Sequence, residues 1–108
     1  MKKINFGEGS LTFWIPKETL NYGDNKFIYL INYVSEEGSL KIVKDKDNGL
    51  KVFYNYLNNG KCILKVPVQD LDDEEKHYIG VTWSMPNRKV ILYIDGQERG
   101  NCDIDITS

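Results

Sequence analysis

Apolar and polar side chains alternate with a period of two along most of this chain. Leu50, Val52, Tyr54 and Tyr56 fall on one phase, and Lys51, Phe53 and Asn55 on the other. Successive side chains of a strand point to opposite faces, so this pattern predicts half-buried strands. Cys62, Leu64 and Val66 repeat it against Lys61, Ile63 and Lys65, as do Leu11, Phe13 and Ile15 against Thr12 and Trp14 within Ser10–Ile15. Gly38, Gly49 and Gly60 recur at a spacing of eleven residues, preceded by Glu36-Glu37, Asp47-Asn48 and Asn58-Asn59. Asn-Gly favours two-residue hairpin turns with positive φ, so residues 39–46, 50–57 and 61–68 are expected to form an antiparallel meander. Lys26–Val34 is apolar on both phases and reads as a central strand covered on both faces. His77–Ser84 and Lys89–Ile94 form another hairpin, Asp95-Gly96 is a further turn signal, and Ile104–Thr107 is expected to add a short last strand. Only Asp70–Lys76 has room for a helical turn.

Composition agrees. Alanine is absent from the 108 residues, while β-branched and aromatic residues are plentiful, as a pleated surface prefers. The expected class is all-β, an antiparallel β-sandwich, with residues 1–108 as one domain. This length suffices for one core. Fourteen basic against sixteen acidic residues leave a formal charge of −2, which argues against nucleic acid and anionic membranes as partners. No apolar run approaches the roughly 20 residues of a spanning helix, so no membrane insertion is expected. Met1-Lys2-Lys3 is basic, but Asn5, Gly7 and Glu8 interrupt any signal-peptide core, which implies a cytoplasmic chain or a piece of a longer exported protein. Cys62 and Cys102 fit either a disulfide or two buried thiols, and spacing does not choose between them.

Residues 77–84 read His-Tyr-Ile-Gly-Val-Thr-Trp-Ser, and residues 89–96 read Lys-Val-Ile-Leu-Tyr-Ile-Asp-Gly. The pair resembles the hairpin of the laminin-G-like and concanavalin-A-like sandwich superfamily, approximately W-H-x-V-A-V-T-W followed by L-Y-V-D-G. The match runs over His77, Ile79, Val81, Thr82 and Trp83, then Leu92 to Gly96. Gly9–Ile15 resembles the opening strand G-S-x-x-F-W-I of the same group. The resemblance implies a compact concanavalin-A-like jelly roll over the whole chain. Lys76 departs from the usual aromatic residue, and the short length implies trimmed loops.

The superfamily includes glucanases, whose E-x-D-x-x-E strand presents paired carboxylates. Asp103-Ile104-Asp105 offers two on one expected strand face but lacks the third, so no catalysis is expected. Asp45-Lys46-Asp47-Asn48-Gly49 misses the glycine and glutamate positions of an EF-hand loop and reads as a hairpin turn. Asp70, Asp72, Asp73, Glu74 and Glu75 read as a solvated loop. No metal ligands and no cofactor are assigned, although calcium elsewhere on the rim stays open. His77 reads as a packing residue, and nothing in the spacing pairs it with Cys62 as a catalytic dyad.

The tyrosines remain. Tyr54 and Tyr56 share one face of their strand, and Tyr29 and Tyr33 share one face of theirs. Sugar rings stack on aromatic faces, and amides bond their hydroxyls, so Tyr33, Tyr54 and Tyr56 with Asn32 and Asn55 form the expected ligand site. The reading is a non-catalytic carbohydrate-binding module. The alternative is a protein-interaction or self-assembly domain, with homodimerisation through the same faces. A degenerate or excised glycoside hydrolase domain is a weaker alternative.

Overall fold

The computed structural model describes residues 6–15, 26–47, 49–57, 60–68 and 76–106. Among these residues the chain forms two antiparallel sheets. The first runs β1 (Glu8–Ile15), β6 (His77–Ser84), β7 (Lys89–Ile94), β8 (Gln97–Asp103) in that spatial order. The second runs β2 (Ile28–Val34), β3 (Gly38–Lys44), β4 (Gly49–Tyr56), β5 (Gly60–Pro67), β9 (Asp105–Ile106). The sandwich and its meander are as the alternation predicts.

The inward phases meet in one core. Leu40, Ile42, Leu50, Val52, Tyr54, Leu64 and Val66 come from the second sheet, and Ile79, Val81, Trp83, Val90, Leu92 and Ile94 from the first. Burying each such side chain contributes about 1.5–3 kcal/mol, so this layer supplies most of the driving force. Lys44 also points inward and is fully buried, with its amine donating to the Lys26 carbonyl at 2.7 Å.

The resembling hairpin has a clear physical role. Asp95 and Gly96 take φ of 53° and 83°, the left-handed values that a two-residue hairpin turn requires. Asp95 Oδ1 accepts from the Tyr78 amide at 2.9 Å, and Oδ2 meets His77 Nδ1 at 2.7 Å. His77 is buried, so it packs and ties the start of β6 to the β7–β8 turn.

Several expectations need correction. Residues 26–34 do not form a central strand. β2 is the edge of the second sheet among the described residues, with Tyr29, Tyr33 and Val34 exposed. The recurrent glycines begin β3, β4 and β5 rather than sitting at left-handed turn positions. Gly38 is required by close approach instead, since an added Cβ would lie 2.2 Å from the Asn55 carbonyl oxygen. β8 is a strand that alternation does not reveal, because Gly100 and Cys102 are its inward residues opposite Leu92 and Val90. The acidic run, and all but Lys76 of the helical turn expected over Asp70–Lys76, lie outside the described residues.

Cys62 on β5 and Cys102 on β8 form a disulfide, so the bond staples one sheet to the other. Their separation of 40 residues closes a long loop, which restricts the unfolded chain. Replacing both cysteines with alanine is expected to lower unfolding free energy by about 2–4 kcal/mol in urea titration, and thiol assay of the native protein should find none free.

Candidate functional site

The inner phase belongs to the core, so ligand chemistry must use outward side chains and edges. The five residues expected to form a tyrosine platform are divided by this rule. Tyr54 is 2% exposed, packs in the core and donates its hydroxyl to the Phe6 carbonyl. Burial, with Tyr56 alongside, pushes its pKa up to about 12. Tyr56 shares that inward face, is half-buried and packs against the core. Tyr33 stands opposite Leu40 on the same side and is exposed. Asn32 and Asn55 point outward, opposite Lys41 and Ser39. The tyrosines and the asparagines therefore occupy opposite faces of one sheet, and no single platform forms.

A β-bulge explains the remaining tyrosine. Tyr29 pairs with Val43 and Ile31 with Ile42, which leaves Leu30 as the extra residue. One inserted residue inverts the phase, so Tyr29 and Tyr33 lie on opposite faces rather than sharing one. Tyr29 thereby joins Phe27 on the outer surface, their rings edge-to-face at 5.1 Å.

A trough of about 340 Å³ follows on this outer surface of the five-stranded sheet. Phe27, Tyr29, Phe53 and Ile63 supply its apolar lining, and Lys41, Lys61, Ser39 and Asn55 its polar groups. A smaller depression of about 140 Å³, bordered by Val34, Glu36 and Leu57, shares Ser39 and Asn55 as a common wall. An apolar floor with a few polar groups is the usual make-up of a ligand site.

The acidic turn between β3 and β4 stands beside the lysine side of this sheet. Asp45 Oδ1 accepts from the amides of Asp47 and Gly49 at 3.0 and 3.1 Å, which closes the turn. Its Oδ2 lies 3.1 Å from Lys51 Nζ and 3.5 Å from Lys65 Nζ, in ion-pair contact rather than a directed hydrogen bond. Asp47 holds the Lys65 amine at 2.9 Å. Ammonium groups thus stand where a metal reading of this loop would put a cation. Among the described residues no group of three or more His, Cys, Asp or Glu side chains is placed to hold an ion.

Asp103 and Asp105 do not share a strand face. Ile104 carries the chain across from one sheet to the other, and its amide bonds the Arg88 carbonyl at 2.9 Å. Asp103 pairs with Lys89 at 2.6 Å, while Asp105 stands opposite Lys61 on the other sheet. Cys62 is consumed by its disulfide, so it forms no dyad with His77.

The expected site left out four outward aromatics. Phe27, Tyr29 and Phe53 line the trough, and Trp14 lies on the other outer face, 54% exposed. Trp14 contacts Tyr78 at 4.8 Å and carries the Lys76 amine 4.9 Å from its ring centroid. For Phe53 and Trp14 the signal was present as the phase opposite to the apolar run.

No family model and no curated protein matches the chain. Among solved structures it is similar to mouse laminin alpha1 chain domains LG4-5, with TM-score 0.51 and 14% identity over 94% of this chain. The chain spans about a fifth of that structure, 21% of its length. The likeness concerns the fold, which is laminin-G-like.

Two measurements test this part of the structure. Burial opposes ionisation of Asp45, but the Gly49 amide, Lys51, Lys65 and the Asp47 amide outweigh it and hold its pKa below the ordinary value of 3.8. Its contribution to stability is therefore present above that value and lost as pH falls through the lower folded pKa. Asp45→Ala is expected to cost about 1–3 kcal/mol at neutral pH, with the difference from wild type shrinking below pH about 4 in denaturant titrations. Tyr54→Phe is expected to cost about 1 kcal/mol through the lost bond to Phe6, read from the same titrations.

Proposed function

We propose that this domain is a non-catalytic binding module that takes a carbohydrate along the outer face of its five-stranded sheet. The observation that carries the reading is the trough in which exposed aromatic rings stand among amide, hydroxyl and amine groups. The C–H faces of a sugar ring lie against Tyr29, Phe27 and Phe53. Asn32, Asn55, Ser39, Lys41 and Lys61 exchange hydrogen bonds with its hydroxyls. The polar side chains stand on strands whose inner phase is locked in the core, so little ordering cost remains at binding. The disulfide between the sheets supports a place in an oxidising compartment, such as the cell exterior.

A second reading is favoured by different side chains. Ile63, Val34 and Leu57, exposed by 66, 69 and 54%, are aliphatic. An apolar patch of this kind suits a protein partner or a second copy of the chain.

A glycan and polysaccharide array, run with calcium and again with chelator, separates the two. Saturable binding is expected, weakened about tenfold by Tyr29→Ala (about 1.4 kcal/mol) with the melting temperature unchanged. A blank array, or binding indifferent to both Tyr29→Ala and Asn55→Ala, overturns the carbohydrate reading. A blank array together with concentration-dependent mass in light scattering establishes self-association instead.

A further inference from the structure

We infer that the trough grips an internal stretch of a linear polysaccharide rather than a single terminal sugar, a conclusion that rests on the carbohydrate reading above. The two depressions on the outer face meet at Ser39 and Asn55, so they form one elongated track rather than separate pits. Tyr29 marks one end, opposite Val43. Val34 stands opposite Ser39, four residues away along β3, which is about 13 Å at strand rise. Leu57, just past the end of β4, borders the far depression and carries the track beyond that length. One sugar ring does not fill such a length.

The polar groups repeat along it. Outward positions on neighbouring strands recur every second residue, at about 6.6 Å. Asn32, Lys41 and Phe53 stand in one cross-strand row, and Ser39, Asn55 and Lys61 in the next. Glu36 borders the far depression beyond them. A ligand that itself repeats meets these rows in series, each unit presenting hydroxyls to the next set. A lone sugar uses one row and leaves the others hydrated.

Titration calorimetry of the full chain against oligosaccharide ladders, monosaccharide to hexasaccharide, tests the inference. The probes are cello-, xylo-, chito- and galacturono-oligosaccharides together with their parent polymers. In the series that binds, affinity is expected to climb at least tenfold with length and then level off once the track is filled. Val34→Ser and Leu57→Ser, both at exposed positions at the far end, are expected to remove the gain of the longer oligomers while leaving the disaccharide unchanged. A monosaccharide as tight as the hexasaccharide, or a ladder unmoved by both far-end variants, overturns the inference and leaves the carbohydrate reading standing. Absence of binding to every oligomer and polymer overturns the carbohydrate reading itself, and the inference with it.

Discussion

Each strand in this fold commits alternate side chains to a single layer between two sheets, and that commitment decides which side chains remain for anything else. Leu40, Ile42, Val52 and Leu64 lie in that layer with Val81 and Leu92. Tyr54 is in phase with Leu50 and Val52, so its ring is spent on the core whatever its polar tip suggests. The layer also requires close approach at its margin. A Cβ on Gly100 would come within 2.9 Å of Val66, so glycine lets β8 settle against β5. The Cys62–Cys102 bond then joins the two sheets near that contact. The outward phases carry the remaining surface, and the trough is a concavity of about 340 Å³ on it.

Much of this was legible along the chain, and the failures share a cause. Strand positions followed from alternation because the period of two reports the pleat directly. The sandwich followed from the hairpin signals and from the resemblance at residues 77–96. What alternation does not report is which face is covered by what. Lys26–Val34 looked central because both phases are apolar, yet its outward aromatics belong to an exposed trough at an edge. β8 escaped notice because its inward residues, Gly100 and Cys102, carry no hydrophobic signature. Asp103 and Asp105 seemed to share a face because a change of sheet at Ile104 has no local mark. The disulfide depends on β5 meeting β8, a contact between residues far apart in sequence. The tyrosine platform was the avoidable error, since Tyr54 and Tyr56 stand in register with the buried phase of their own strand.

The β3–β4 turn shows how a buried carboxylate is compensated at the margin of the sheet. Asp45 is almost fully buried, yet it stays charged because two amides and the Lys51 and Lys65 amines meet it. A buried carboxylate costs much less when so compensated. Two of the outward lysines are thereby drawn toward one corner of the sheet. Lys41 and Lys61 are the lysines that line the trough itself. The lysines held by the turn and the lysines of the trough are thus two separate pairs on one sheet face.

The bulge at Leu30 links protection of the edge to the make-up of the trough. Among the described residues Ile28–Val34 is an edge strand without charge or proline, and such an edge is a template for unwanted pairing with other chains. Inserting one residue bends the strand and breaks its ladder, which is a common protection of such edges. The same insertion reverses the phase of the strand across Tyr29 and Ile31. Without it, a strand that keeps Ile31 and Tyr33 inward would also turn Tyr29 inward. With it, Tyr29 stands outward beside Phe27, at the end of the trough where an aromatic face is most useful. A single extra residue therefore both blunts the edge and turns Tyr29 toward the trough. The two effects cannot be separated by changing side chains alone, because each follows from the backbone register.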